Sequence, residues 1–437
     1  MVKTLRVSGL GTGRQYFRGT KMIQRIRGTQ DFIDLSLFNF IVNAARAHLS
    51  HYAFEEVATP ILESTDLFRR SLGLNTDVVT KEMFLIKTND DDESICLRPE
   101  ATASIMRAFF NNAVQERPWR VFTAGPTFRY ERPQKGRYRQ FHQLSIELIG
   151  ASSIAYDAEF IALVDSFFSQ KLKLNSYALL LNFLGSPEDR TNYKRALYAF
   201  LDKQPNLPKA LAERKETNLL RVFDLKDEAC KAALEGAPIL TDYLSDESQA
   251  EWTLLRSLLD QLSISYVIDP RLVRGLDYYN KTVFEFVSLD LGAQNAFCGG
   301  GRYDHLSLAL GEKEAIPSIG VGLGIERLIL LLESKKELLP LPQKPPLFVV
   351  LPFAAAQQPL ALICAHELRQ NGFCTEVLLD TPSIKNMMRQ ANKRGARYAI
   401  LIGEDEQKNN LVTLKNMTTG TEEKIPQGEL VARLLRA

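Results

Sequence analysis

The sequence predicts an α+β chain: a strand-and-helix body carrying a helical insertion, then a separate C-terminal α/β domain. Three observations carry this. Apolar periodicity switches between helical and strand-like spacing through the first half of the chain. Residues 185–260 are rich in Leu, Ala, Glu and Lys, poor in Gly, and read as several helices. Residues 337–346 (ELLPLPQKPP) hold four prolines and read as a linker, beyond which strand and helix patterns alternate.

The first thirty residues contain seven basic residues and no acidic one, and the first twenty include Gly9, Gly11, Gly13 and Gly19 without periodicity. Residues 1–20 are therefore expected to be a disordered basic extension. An upstream start codon, with Met22 as the natural start, a basic arm and a transit peptide all fit this composition. Over 36–51, Leu37, Phe40, Ile41, Ala44, Ala45 and Leu49 repeat at helical spacing. Strand-like runs follow near 93–98, 119–124 and 138–149, and after the insertion at 281–289, leading to a Gly-rich stretch and an apolar helix at 324–332. Past the linker, strands at 347–352, 374–379 and 398–402 alternate with helices at 358–370 and 383–396. That order implies right-handed crossovers and a largely parallel sheet. The expected domains are 21–340, with the insertion at about 185–260, and 341–437.

Composition narrows the function classes. No apolar run approaches the roughly 20 residues of a membrane helix. Five cysteines are scattered with no C-x-x-C pair, which argues against a disulfide framework or a zinc site and fits a reducing, cytoplasmic compartment. A net charge of +2, from 54 basic and 52 acidic residues, does not exclude nucleic acid, because the basic residues are clustered.

The most informative stretch is 128–143, FRYERPQKGRYRQFHQ, with four arginines and one lysine punctuated by Pro133 and Gly136. It reads as strand, loop, strand. Alternation puts Arg129 and Glu131 on one face of the first strand. Phe141, Gln143, Ser145 and Glu147 share a face of the second, with Leu144, Ile146 and Leu148 on the other. An aromatic, an amide and a carboxylate in a row describe a pocket floor, and arginine forks suit phosphates or carboxylates. A basic edge hairpin would carry the same cations, but the facing Phe, Gln and Glu favour the pocket.

This stretch resembles motif 2 of class II aminoacyl-tRNA synthetases, in the histidyl-tRNA synthetase form. Other signatures of that family follow in order. Leu97-Arg98-Pro99-Glu100 resembles its LRPE element. Residues 272–279 (LVRGLDYY) and 299–304 (GGGRYD) resemble its two histidine signatures. Residues 320–327 (GVGLGIER) resemble motif 3, and 58–67, with Pro60, the weaker motif 1. The resemblance covers about 21–437. Two positions depart from the pattern: Ala101 and His305 stand where the family often has Gly.

The resemblance implies a class II catalytic core, an antiparallel sheet flanked by helices, with a helical insertion and a C-terminal α/β anticodon-binding domain. It implies activation of L-histidine by ATP with Mg²⁺, then transfer to tRNA(His), in a homodimer. Activation is attack of a carboxylate on the α-phosphate, which needs alignment and charge stabilisation. Arg274 and Arg129 are the implied catalytic cations. Glu131, Arg137, Phe141 and Arg327 would join Arg129 around ATP, with Phe141 stacked on adenine. A neutral imidazole offers one donor and one acceptor. Glu147 and Tyr279 would pair with it, Tyr278 and Tyr303 would line the site, and Glu100, Thr102 and Gln143 would hold the α-amino group. Such a site rejects analogues without editing, so the insertion is not expected to edit; in the family it approaches the tRNA acceptor arm. Arg132, Gln134 and Arg139 would read the acceptor end.

Other features carry less. Gly299-Gly300-Gly301 alone fits a bulge or turn as well as a site. Gly320, Gly322 and Gly324 sit too late, with no following acidic residue, for a Rossmann turn, and are read as a close strand–helix approach that lets Arg327 reach ATP. His48 and His51 lack the carboxylate or Cys of a metal site, and no metal site is expected. His142 is read as structural. Lys385, Arg389, Lys393 and Arg397 fall four apart, which lines them on one helix face. A solvated face and RNA phosphate contact fit that stripe equally, and the resemblance favours RNA. The rival reading is a non-catalytic regulatory subunit of ATP phosphoribosyltransferase, which resembles the core; the tail domain and Arg274 argue against it.

Overall fold

The computed structural model describes residues 22–74, 76–87, 94–204, 206–225, 227–292, 295–380 and 383–436. The expected basic extension, 1–20, lies outside them. The chain divides into two compact units between Leu341 and Pro342.

In the first unit the strands are β1 (Glu55–Glu56), β2 (Leu62–Ser64), β3 (Phe84–Ile86), β4 (Ile95–Leu97), β5 (Trp119–Phe128), β6 (Gln140–Ile149), β7 (Ala178–Phe183), β8 (Val267–Ile268), β9 (Asn280–Val287), β10 (Ala296–Arg302) and β11 (Ser318–Gly324). Eight form one sheet, ordered β1-β5-β6-β11-β10-β9-β7-β8, and β2-β4-β3 form a small one. The six central strands of the large sheet are antiparallel; β1 and β8 pair in parallel at the edges.

The helices are α1 (Ser36–Ser50), α2 (Thr65–Leu72), α3 (Thr102–Asn111), α4 (Ala155–Ser166), α5 (Pro187–Asp202), α6 (Lys209–Thr217), α7 (Glu228–Ala233), α8 (Asp246–Gln261), the one-turn α9 (Leu306–Ala309) and α10 (Ile325–Glu333). The two faces of the sheet differ. On one, Leu144, Ile146 and Leu148 of β6 join Phe284, Phe286, Ile319 and Val321 beneath α1, α4, α8 and α10. Burial of each such side chain stabilises by about 1.5–3 kcal/mol. The other face carries a second core that includes Val283, three tyrosines and the apolar residues of α5, α6 and α7.

Two expectations change. The 185–260 segment is helical, but its last helix is part of the body. Trp252, Leu255 and Leu259 form one stripe of α8 and are buried in the core beneath the sheet, because an apolar stripe needs a partner surface. Arg129 and Glu131 are not on a strand, since β5 ends at Phe128.

The second unit has strands β12 (Leu347–Pro352), β13 (Cys374–Val377), β14 (Ala396–Ile402), β15 (Leu411–Asn416) and β16 (Glu422–Pro426), ordered β13-β12-β14-β15-β16. Its helices are α11 (Gln358–Gln370), α12 (Ile384–Lys393), α13 (Glu404–Lys408) and α14 (Leu430–Leu435). The first three strands in that order are parallel, as the crossovers require, but β15 and β16 add an antiparallel hairpin, so the sheet is mixed. Arg397 does not continue the basic stripe. Gly395, at φ +71°, turns the chain out of α12 and puts Arg397 on β14. Lys385, Arg389 and Lys393 do share the exposed side of α12, opposite the buried Met387 and Ala391.

Candidate active site

The antiparallel pairing of β6 with β11 creates the floor. Glu147, Ser145 and Gln143 lie directly across from Gly320, Gly322 and Gly324. A methyl group at Gly320 would overlap the Glu147 carboxylate, and one at Gly322 the Gln143 amide. Across the sheet on β10, a methyl at Gly299 would overlap the Arg274 guanidinium. The glycines therefore clear room for polar side chains lying flat on the sheet. The role expected of them in strand–helix approach is replaced by this one at Gly320 and Gly322.

Glu147 is fully buried. It accepts from the Thr102 hydroxyl at 2.7 Å and from the Tyr303 phenol at 2.6 Å. Burial, with the nearby Glu100 adding to it, raises its pKa to about 8 against the two hydrogen bonds. Glu100 is also buried and shifted upward by burial. Its two oxygens accept the backbone N–H groups of Thr102 and Ala103 at 2.7 and 2.9 Å, so it caps the start of α3. The side-chain oxygen of Gln143 is buried with no partner. Tyr278 packs against Tyr279 and Tyr303, with ring centroids 4.5 and 5.6 Å apart. Burial pushes all three phenols up, keeping them neutral donors.

Arg274 lies beside this cluster, 5.6 Å from the Tyr279 ring, and forms an ion pair with Glu285 of β9. Arg129 donates to the Pro99 carbonyl at 2.9 Å with its guanidinium 5.6 Å from the Phe141 ring. Beyond it the loop folds back on itself. Arg137 pairs with Glu131 at 2.8 Å, and Gly136 turns at φ +74°. Arg327 of α10 donates to the Gly136 carbonyl at 3.2 Å and to the Ala296 carbonyl, tying this loop to β10. Arg139 stacks on Tyr130 at 3.6 Å, while Arg132 and Gln134 face solvent.

The GGGRYD strand splits its residues by direction. Tyr303 reaches Glu147. Arg302 is buried on the other side, bonded to Asp157 of α4 and to the Ala151 carbonyl. Asp304 accepts from Asn280 at 3.0 Å and from the Ser318 backbone at 3.1 Å. His142 points away from the floor and pairs with Glu326 at 2.9 Å. His305 sits at φ −97°, where no glycine is needed. His48 is buried against the Leu163 carbonyl, 3.0 Å away, and no cluster of metal-ligating side chains occurs among the described residues. No helix among them is long and apolar enough to cross a membrane.

Two groups unforeseen from the sequence matter here: Glu285 and Asp157. A single Glu between Phe284 and Phe286 in an apolar strand is a readable signal for the first. Nothing local marks Asp157.

The histidyl-tRNA synthetase family profile matches residues 39–328, and the anticodon binding domain profile matches 347–437. The chain belongs to the histidyl-tRNA synthetase family. It is thus an aminoacyl-tRNA synthetase. Its similarity extends over nearly whole proteins. It is 40% identical over 413 residues to the histidine–tRNA ligase of Clostridioides difficile (strain 630), covering 93% of this chain and 98% of that one. It is 41% identical over 420 residues to that of Synechococcus sp. (strain JA-3-3Ab), covering 95% and 99%. The crystal structure of apo S. aureus histidyl-tRNA synthetase matches with a TM-score of 0.76 at 34% identity, covering 94% of this chain and 99% of that one. A Bacillus halodurans C chain described as an ATP phosphoribosyltransferase regulatory subunit/histidyl-tRNA synthetase shares the fold, with a TM-score of 0.61 at 21% identity.

Proposed function

We propose that this chain is a histidine–tRNA ligase whose pocket around Glu147 reads the imidazole of L-histidine. The observation that carries this is a buried carboxylate already held by two hydroxyl donors, with a partnerless Gln143 oxygen on the same strand face. Burial raises the pKa of Glu147 to about 8 and so favours its neutral form. A histidine ring presenting an N–H, with Tyr279 as its second partner, supplies what the carboxylate lacks. Gln143 accepts from the α-ammonium group, aided by Glu100 and Thr102, while Tyr278 and Tyr303 wall the ring. The pocket closes on a ring with two polar atoms and leaves other side chains unpaired, which is the strong form of discrimination.

The histidine carboxylate then attacks the α-phosphorus of ATP. A P–O bond to pyrophosphate breaks as the acyl–phosphate bond forms, giving histidyl-adenylate. No proton needs to move, so cations do the work. Arg274 and Arg129 neutralise the charge at the α-phosphate. Arg137 and Arg327 bind the triphosphate, Phe141 stacks on adenine, and Glu131 holds Arg137 for that task. ATP would be taken as its Mg²⁺ complex, the ion supplying further positive charge at the phosphates beside these arginines. The adenylate's acyl group passes to the 3′ end of tRNA(His), releasing AMP. Arg132, Gln134 and Arg139 meet the acceptor end, and Lys385, Arg389 and Lys393 of the 341–437 anticodon domain meet phosphates. We place the enzyme in the cytoplasm as a homodimer.

The test is ATP–pyrophosphate exchange with each of the twenty amino acids. Exchange with histidine alone, reduced about 10²–10³-fold in Arg274→Ala, is the expected result. Folded protein that binds histidine without exchange would move the reading to the regulatory subunit.

A further inference from the structure

The segment that carries Arg274, Tyr278 and Tyr279 has no regular secondary structure between β8 and β9. Residues 273–279 gain little from backbone ladders, so other groups must fix them. Asp277 donates its N–H to the Leu72 carbonyl at 3.3 Å, and Arg274 pairs with Glu285. Two further contacts come from the helical insertion. Arg190 of α5 donates Nη1 to the Tyr279 carbonyl at 2.8 Å. Asn218, just past α6, donates to the Asp277 carboxylate at 3.0 Å.

The packing agrees. Tyr193, Leu197 and Leu201 of α5 and Leu211 of α6 lie in the same buried cluster as Leu272, Tyr278, Tyr279 and Tyr303. Arg214 and Arg221, also of the insertion, reach Asp77 at 3.7 and 3.5 Å, beside the end of α2 that holds Asp277. A partly buried arginine that spends a donor on a main-chain carbonyl is costly to keep without a role. Here it fixes the carbonyl of the residue whose side chain faces the imidazole site.

We propose that Arg190 and Asn218 are positioning residues for the segment bearing Arg274, Tyr278 and Tyr279, so that the helical insertion takes part in amino-acid activation before any tRNA arrives. This rests on the reading of that pocket as the histidine-activation site. Both residues are bonded to this segment rather than to the reacting groups. Each acts through the backbone or the carboxylate it holds, and misplacement of about 1 Å is enough to lower turnover severely.

The test uses the full chain without tRNA. Histidine-dependent ATP–pyrophosphate exchange is measured for wild type, Arg190→Met, Arg190→Lys and Asn218→Ala, with active-site titration and thermal melting alongside. Arg190→Met should raise the histidine KM roughly tenfold and lower kcat, leaving the ATP KM within about twofold. Arg190→Lys should recover part of the loss. Asn218→Ala removes a more exposed contact, so it folds normally and shows a smaller shift of the same kind. A scaffold defect would lower the active fraction and Tm with both KM values unchanged, and that result in Arg190→Met and Asn218→Ala overturns the proposal. Absence of exchange in wild type with every amino acid would instead overturn the activation reading, and the positioning role with it.

Discussion

On β6, Leu144, Ile146 and Leu148 lie in a continuous apolar core, while Gln143, Ser145 and Glu147, the alternate residues, line a polar pocket. The same backbone serves both. The apolar side is held by many interchangeable contacts, each worth little. The polar side depends on a few directed contacts: a phenol, a hydroxyl and a space left by a glycine. Replacing an apolar residue costs stability in proportion to volume. Replacing a polar one costs function through geometry. The glycines of β11 belong to the second kind, although in the sequence they read as a close strand–helix approach.

This contrast can be broken by substitution, beginning with the largest effect. Ile146→Ala should destabilise the chain by about 2–5 kcal/mol in chemical denaturation. The molecules that remain folded should keep near-normal histidine-dependent exchange. Severe loss of exchange per active site would erase the distinction between the faces. Gly320→Ala should do the opposite. Its methyl meets the Glu147 carboxylate, so the histidine KM should rise about tenfold or more, while overpacking costs about 1–3 kcal/mol of stability, less than the loss expected for Ile146→Ala. Steady-state kinetics with histidine varied at saturating ATP would show it.

Glu147→Gln sharpens the comparison through pH. The folded pKa is raised to about 8 from an ordinary value of 4.5. A raised pKa in the folded state means stability that is fully present below about pH 4.5 and lost as pH rises through about 8. Every tenfold difference in proton affinity between folded and unfolded chain corresponds to about 1.4 kcal/mol. Denaturation of the ligand-free protein from pH 5 to 9 should show this decline in wild type and less of it in the glutamine variant. Parallel curves would mean that Glu147 is ionised in the empty pocket.

The smallest effect lies in the second unit, on the exposed side of α12. Replacing Lys385, Arg389 and Lys393 together by Ala should leave exchange unchanged and weaken tRNA binding. The salt dependence of that binding should flatten by up to about three in log–log slope. Unchanged binding and slope would return the stripe to the role of a solvated surface.

What can be read from the sequence follows the same divide. The faces of β6, the helix over Ser36–Ser50 and the strands of the second unit up to Ile402 are legible because alternation and helical periodicity are local. The hairpin of β15 and β16 is not, because its strands after Ile402 carry weak periodicity. The residues of the signatures are legible as a set, but their partners are not. Glu285 meets Arg274 across irregular chain, Asp157 meets Arg302 from another layer, and Arg190 meets Tyr279 from the insertion. Such pairings are set by sheet order and packing, which no local pattern encodes. The same holds for Gly320, whose role exists only because β11 lies beside β6.

The most direct test of the imidazole pocket is equilibrium binding of L-histidine, without ATP, to wild type and to Glu147→Gln, by calorimetry at pH 7 to 9. Clear binding to wild type and a loss of at least about tenfold in the variant, with folding intact, are the expected results. Equal affinity in the two proteins would show that Glu147 does not read the imidazole, and would contradict the assignment of the pocket.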